Sequence, residues 1–447
     1  MINEIKVLEN MAYTRTGGSA QELKCAKYIQ SELKKLGLTS HLEQFSVQAA
    51  KIDSCSLEVT KPYKKKIECK GYFCSGSASI TKELYYLRNK NSKVEIQKCK
   101  DKIVLLDENI PYWNYKDLLE VGAKGFITYT GKLHEDHHDI DQKELREPLN
   151  KLGKIPGVNI NAKDAYDMVM NKASEVKLVL KQKEVKNIQS RNVVSQIKGQ
   201  DSQTIIFTAH YDSTPLSKGV YDNATGSVGI LKIAEYFVAH KPQHNLIFVW
   251  CGSEERGLLG SKAYCVKHKK QLDKIDLCIN LDMIGSNMGE FIACVTGEEK
   301  LVNYVEYFAN EIGKPIRAYQ DVYSSDSTPF ADNGIPAISF ARLTSLEPIH
   351  NRYDDMKTVN GEVMHMDCET IIEFTKRMAN SKVIPVNREI PKDVKEKLDY
   401  YLLRERKNKL RWFIKSSLLN YEIYIRRNMV KYWGWKLVCK NDTRFFW

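Results

Sequence analysis

Asn245-Leu246-Ile247-Phe248-Val249-Trp250-Cys251 is a nearly unbroken apolar run, and Gly252-Ser253-Glu254-Glu255 follows it directly. A strand that is apolar at almost every position is covered on both faces, as in the parallel sheets of α/β proteins. Runs of the same kind occur at Thr204-Ile205-Ile206-Phe207, Leu277-Cys278-Ile279-Asn280-Leu281 and Ala337-Ile338-Ser339-Phe340. Between them, Ser227 to Ala239 and Leu301 to Ile312 carry apolar residues at helical spacing. The alternation predicts an α/β fold with a mainly parallel or mixed sheet flanked by helices. In such a sheet, ligands bind outside the carboxyl ends of the strands.

Metal-competent side chains stand at that rim. His210 comes just after the first of these strands, Glu254 and Glu255 after the second, Asp282 after the third, and His350 in a loop beyond the fourth. Asp222 precedes a helix in Asp222-Asn223-Ala224-Thr225-Gly226. Singly, each has an ordinary explanation: a structural histidine, an N-capping aspartate, a solvated glutamate pair. Six of them on one rim do not. Zinc accepts imidazole nitrogen and carboxylate oxygen, and a catalytic site keeps a position open for water. Two ions sharing one carboxylate need two histidines and three acids. One more acid, off the metal, is needed to take a proton from the attacking water. Adjacent glutamates can supply both a ligand and that base.

The rest of the chain frames this block. Leu23, Ala26, Ile29, Leu33 and Leu36 mark an amino-terminal helix that Gly37 ends, and Leu42 to Ala49 alternates like a strand. From Lys51 to Glu184 the pattern is strand-rich. The reading divides the chain into an α/β domain (1–48 with 186–385), a β-rich insert (49–185) and a helical extension (386–447). At 43% hydrophobic and 28% charged, the composition is that of a globular protein. The extension from Arg388 has 16 Lys/Arg against 7 Asp/Glu, so nine of the net +12 belong to it and the body is nearly neutral. The start, Met1-Ile2-Asn3-Glu4, lacks a signal-peptide pattern. No apolar stretch reaches the ~18 residues of a membrane span. The 11 cysteines, without a CxxC pair, read as reduced thiols. A cytoplasmic location is the expectation.

Five motifs then resemble a known family in its own order: Ala209-His210-Tyr211-Asp212-Ser213, Asp222-Asn223-Ala224-Thr225-Gly226, Gly252-Ser253-Glu254-Glu255-Arg256-Gly257-Leu258-Leu259-Gly260-Ser261, Asn280-Leu281-Asp282-Met283-Ile284-Gly285 and Ile349-His350-Asn351-Arg352-Tyr353-Asp354. They are similar to the co-catalytic zinc aminopeptidases of the bacterial leucyl aminopeptidase and aminopeptidase Y type, related to glutamate carboxypeptidase II and glutaminyl cyclase. The resemblance covers roughly 1–36 and 191–384. It implies a zinc-exopeptidase fold, two Zn2+ per chain, peptide substrates and removal of the N-terminal residue. It also implies roles. His210 and Asp282 would bind one zinc, Glu255 and His350 the other, with Asp222 bridging. Glu254 would be the general base and then the acid, and Asp212 would hydrogen-bond the far nitrogen of His210.

This family often has Ser-Asp-His before a Pro-Phe pair, where this chain has Ser325-Asp326-Ser327-Thr328-Pro329-Phe330. Holding the substrate then falls to other groups, with Tyr323 and Arg342 as candidates. Asp101-Lys102-Ile103-Val104-Leu105-Leu106, followed by Gly122-Ala123-Lys124-Gly125-Phe126-Ile127, resembles a protease-associated domain. Within that region His134-Glu135-Asp136-His137-His138 reads as a solvated loop. Other readings stay open: a carboxypeptidase or dipeptidase of the same fold, using Arg342 or Arg352 to hold a carboxylate; a one-zinc glutaminyl cyclase-like acyltransferase; and a non-catalytic binding protein, which the intact Glu254 and five ligands disfavour. For the extension, packing or homo-oligomer association is favoured over nucleic-acid binding.

Overall fold

The computed structural model describes residues 2–107, 109–345 and 349–406. The described residues up to Leu398 form one compact unit, and it holds the site. The central sheet has eight strands, numbered along the chain: β1 (Ser40–Ser46), β2 (Gln189–Ile197), β3 (Thr204–His210), β4 (Asn245–Cys251), β5 (Leu277–Leu281), β6 (Glu290–Thr296), β7 (Arg317–Gln320) and β8 (Ala337–Leu343). Their order is β1-β2-β4-β3-β5-β8-β6-β7. The block β4-β3-β5-β8 is parallel throughout, and β3 and β5 are buried at every residue. The four apolar runs of the sequence are therefore the parallel centre of the sheet. Outside it, β1, β2 and β6 pair antiparallel with their inner neighbours, which makes the sheet mixed.

Helix Thr225–Ala239 packs on this sheet with most of its residues buried. A Cβ at Gly226 would lie 2.2 Å from the Leu281 carbonyl oxygen. Only glycine allows the helix to rest on the backbone of β5, one residue before Asp282. The amino-terminal helix forms as expected, over Ala20–Lys35, capped by Ser19 Oγ accepting the Glu22 N–H at 3.1 Å. Its apolar face, Cys25, Ala26, Ile29 and Leu33, joins the same core.

Residues 50–184 build a second eight-stranded sheet, in the order Lys65–Ile67, Ala50–Lys61, Glu175–Glu184, Ala78–Tyr86, Ile103–Leu105, Gly125–Thr130, Gly157–Asn161, Lys70–Gly71. The four strands from Ala78–Tyr86 to Gly157–Asn161 run parallel. Helices Tyr112–Val121 and Ala162–Met170 occur along this part of the chain. This region is thus α/β in one half, not only β-rich. It has cores of its own, one around Leu57, Leu178 and Val158 and one around Tyr115 and Phe126.

Beyond Pro385, Ile390, Val394 and Leu398 are buried with Ala331. A helix covers Lys392–Tyr401, where the sequence predicts one from Asp393 to about Tyr432; from 407 onward that expectation lies outside the described residues. Among the described residues no helix is long and apolar enough to cross a membrane.

One aromatic cluster ties the sheet to helix Gly361–Ala379. Phe340 of β8 is fully buried, with ring centroids 6.0 Å from Phe291 and 5.5 Å from Phe374. Phe340→Ala should cost about 3–5 kcal/mol, the range for truncating a buried aromatic side chain. The urea midpoint of unfolding should fall accordingly, and an unchanged midpoint would contradict this packing.

Candidate metal centre

Parallel strands end on one side, so β3 delivers His210 and the residue after β5 delivers Asp282 to one rim. His210 Nε2 lies 3.1 Å from Asp222 Oδ1 and 3.6 Å from Asp282 Oδ1. His350 Nε2 lies 3.0 Å from Asp222 Oδ2 and 3.1 Å from Glu255 Oε2. Two groups result, His210-Asp222-Asp282 and Asp222-Glu255-His350, each with its ligand atoms within 4.8 Å of one another. Asp222 belongs to both and turns one oxygen to each. His210, Asp222 and Asp282 are buried, whereas the His350 side chain is 49% exposed, so the cluster opens on that side.

The donor set fits divalent cations. Asp282 Oδ1 and Glu255 Oε1 are buried oxygens with no hydrogen-bond partner, a costly state unless a cation meets them. Burial alone would lower the His210 imidazole, but Glu254, Asp212, Asp222 and Asp282 outweigh it and hold the group well above its ordinary value. His350 is raised in the same way by Glu255 and Asp222 against burial. The two histidines in turn hold Asp222 well below the carboxylate range, against its burial. Glu254 goes the other way. Burial, opposed by His210 and reinforced by Glu255, Asp326 and Asp282, pushes its carboxyl well up.

The loop carrying Asp222 is gripped from two sides. Arg15 is fully buried and donates to the backbone carbonyls of Met11 at 2.9 Å and Gly219 at 2.6 Å, and to those of Tyr211 and Lys218. Asp354 accepts the N–H of Tyr221 at 2.8 Å and of Asp222 at 3.2 Å, and the Ser217 hydroxyl at 3.2 Å. Burial raises the Asp354 carboxyl to about 6 against these bonds. Three residues at the site take the left-handed backbone: Ser253 (φ 55), Met283 (φ 62) and His350 (φ 61). Such residues are sparse outside sites that need them. Two flank Glu254 and Asp282; the third is itself in a ligand group.

Several expectations meet a different arrangement. Asp212 lies 3.6 Å from His210 Nδ1, and that nitrogen has no hydrogen-bond partner. Its oxygens instead accept the backbone N–H of Glu254 at 2.9 Å and of Glu255 at 3.3 Å, so it holds the glutamate loop, not the imidazole. Arg342 does not reach for substrate. It donates Nε to Asp367 at 2.9 Å, Nη2 to Asp367 at 2.5 Å and Nη1 to the Gly289 carbonyl at 3.0 Å. The Tyr323 hydroxyl is buried near Asp282 without a partner, and burial and that carboxylate keep it neutral, well above the ordinary range. The segment 134–138 joins neither ligand group; its His138 pairs with Asp164 at 2.8 Å.

Other residues escape a reading by motif. Asp326 is fully buried with neither oxygen hydrogen-bonded, and burial pushes it to about 7. Ser327, at the departure from the family's Ser-Asp-His, lies 2.9 Å from the Ser339 hydroxyl. Glu22, on the amino-terminal helix, accepts the hydroxyls of Ser190 at 2.6 Å and Ser253 at 3.3 Å. Its capping-box position signals a helix start; nothing local signals its reach under the site.

Residues 192–375 match peptidase family M28. The matched segment contains all five motifs and all six rim residues. The chain is 27% identical over 382 residues to aminopeptidase YwaD of Bacillus subtilis (strain 168), covering 78% of this chain and 77% of that protein. It is 27% identical over 257 residues to leucine aminopeptidase 2 of Trichophyton equinum, where the match spans half of that protein and 53% of this chain. Among solved structures it is similar to BSAP, a zinc aminopeptidase from Bacillus subtilis, with a TM-score of 0.71 and 23% identity over 88% of this chain and 98% of that one. That likeness establishes the fold.

The electrostatics give a test. The acids around them hold both histidines above the ordinary imidazole range and favour their protonated forms, yet only neutral imidazole binds metal. Metal loading should therefore release protons, and should weaken as pH falls. Calorimetric zinc titrations in two buffers of different protonation heat should give different apparent enthalpies; equal enthalpies would contradict the charge state.

Proposed function

We propose that this chain is an aminopeptidase that works through two zinc ions and removes the N-terminal residue of peptides. The observation that carries the reading is Asp222, with one oxygen turned to each histidine–acid pair. His210 and Asp282 would hold one ion, Glu255 and His350 the other, and Asp222 both. When bound, the ions supply charge that polarises a peptide carbonyl and makes water a usable nucleophile near neutral pH. Glu254 stands outside both ligand groups. Its raised carboxyl suits a group that takes a proton from the attacking water and returns it to the leaving amine. The neutral Tyr323 hydroxyl, near Asp282, is suited to donate to negative charge developing on the carbonyl oxygen.

Two alternatives lose support. A carboxypeptidase needs a cation for the substrate carboxylate, but Arg342 is bound to Asp367 and Arg352 to Asp139. A one-ion cyclase has no use for the second histidine–acid pair. The names of the relatives favour action at the amino end.

The purified chain should release the amino acid from aminoacyl chromogenic substrates, lose that activity to a chelator, and leave the N-acetylated counterparts intact. Glu254→Gln should keep both ions yet lose about 10²–10⁴-fold in turnover. One ion at saturation would favour the cyclase reading, and cleavage of the acetylated substrates would sink the aminopeptidase reading.

A further inference from the structure

The two ligand groups are not built alike. His210 and Asp282 stand at the ends of adjacent central strands, fixed by the β3–β5 ladder. Glu255 and His350 lie in loops, and both loops are tied to one segment outside the M28 match. Arg352, two residues after His350, donates Nε to Asp139 Oδ2 at 2.6 Å, and its Nη2 reaches Oδ1. Arg146 Nη2 donates to the Glu255 carbonyl at 2.7 Å. Arg256, next to Glu255, makes a forked pair with Glu144, Nε to Oε2 at 2.8 Å and Nη2 to Oε1 at 3.0 Å. The same guanidinium donates to the Gly17 carbonyl at 3.1 Å and to that of Gln48. The Arg256–Glu144 side chains are only 15% and 18% exposed, so this pair is not a loose surface contact. Forked arginine–carboxylate bonds fix direction as well as distance.

We propose that the segment 139–146 is a strap that positions the Glu255–His350 half of the metal centre, with Asp139, Glu144 and Arg146 as its positioning residues. The inference rests on the two-ion reading above. Its consequence is an asymmetry. The strand-built half should form without the strap, whereas the loop-built half depends on it.

The test is a zinc titration of the metal-free full chain against a competing chelator, alongside the Asp139→Asn/Glu144→Gln double variant. The first ion should bind as in the unmodified chain. The second should bind about 10–100-fold more weakly, the usual effect of removing groups that orient a ligand. Arg352→Met alone should reproduce part of this loss without touching Arg256. Exchanging the pair, Asp139→Arg with Arg352→Asp, should recover part of the affinity for the second ion. Equal weakening of both ions, or no weakening of either, would overturn the strap. An unmodified chain that binds a single ion would instead overturn the two-ion reading. Far-UV circular dichroism of each variant separates a local effect from unfolding. If the double variant unfolds, the Arg352→Met titration decides: selective weakening of the second ion supports the strap, and unchanged binding overturns it.

A second observation stands independently. In the hairpin of Ala50–Lys61 with Lys65–Ile67, Leu57 faces Ile67 and Val59 faces Lys65. Continuing that register sets Cys55 opposite Cys69, and their sulfurs are 3.4 Å apart, both partly exposed. We infer that this pair is a site of reversible disulfide formation. Cys69 lies two residues past the end of its strand, so the sulfur separation of 3.4 Å is what carries the inference. With oxidised glutathione, the two thiols lose two electrons and two protons; a Cys55–Cys69 bond forms and two reduced glutathiones leave. Non-reducing peptide mapping of the full chain after this treatment should find the two peptides linked, and dithiothreitol should free them. If both cysteines stay alkylatable, or end only as separate glutathione adducts, the inference fails.

Discussion

Asp222 has to serve two histidine–acid pairs at once, and a carboxylate can do so only if its backbone is fixed on both sides. Arg15 holds the carbonyls of the loop before it, and Asp354 holds the amides of Tyr221 and Asp222. Neither grip comes from Asp222's immediate neighbours. One reaches in from the amino terminus and the other from the loop of His350. The position of Asp222 thus depends on contacts far from it in the chain.

The second constraint is charge. Five carboxylates (Asp222, Asp282, Glu254, Glu255 and Asp326) and two imidazoles share a mostly buried space, and in low dielectric their mutual influence is strong. The imidazoles and Asp222 stabilise one another's charged forms, while Glu254, Glu255 and Asp326 are pushed toward the neutral form. Asp222 and Glu254 are thereby driven in opposite directions within one site. Environments that drive neighbouring acids apart are the usual mark of divided roles.

What is legible in the sequence is what is local. The apolar runs of β3, β4, β5 and β8 form the sheet as read, with His210 at the end of β3 and Asp282 just after β5. Strand β7 is four residues with a charged end, too short and too polar to stand out. Hydrogen-bond partners are harder still. Asp212 finds its amide 42 residues on, Arg342 finds Asp367 25 residues on, and Asp354 holds an amide 132 residues back. A motif can say that an acid is present but not what it will touch, which is why Asp212 is read as a support for the imidazole when it supports the glutamate loop.

The amino-terminal segment has a consequence for the order of assembly. Arg15 closes on Gly219 across 204 residues, and Glu22 on Ser253 across 231. Contacts so distant carry the loop-closure entropy of nearly half the chain before they return any stability. During synthesis, helix Ala20–Lys35 cannot make its Glu22–Ser253 contact until the loop after β4 has emerged. A segment made well before its partner is thus held by the loop that presents the glutamates.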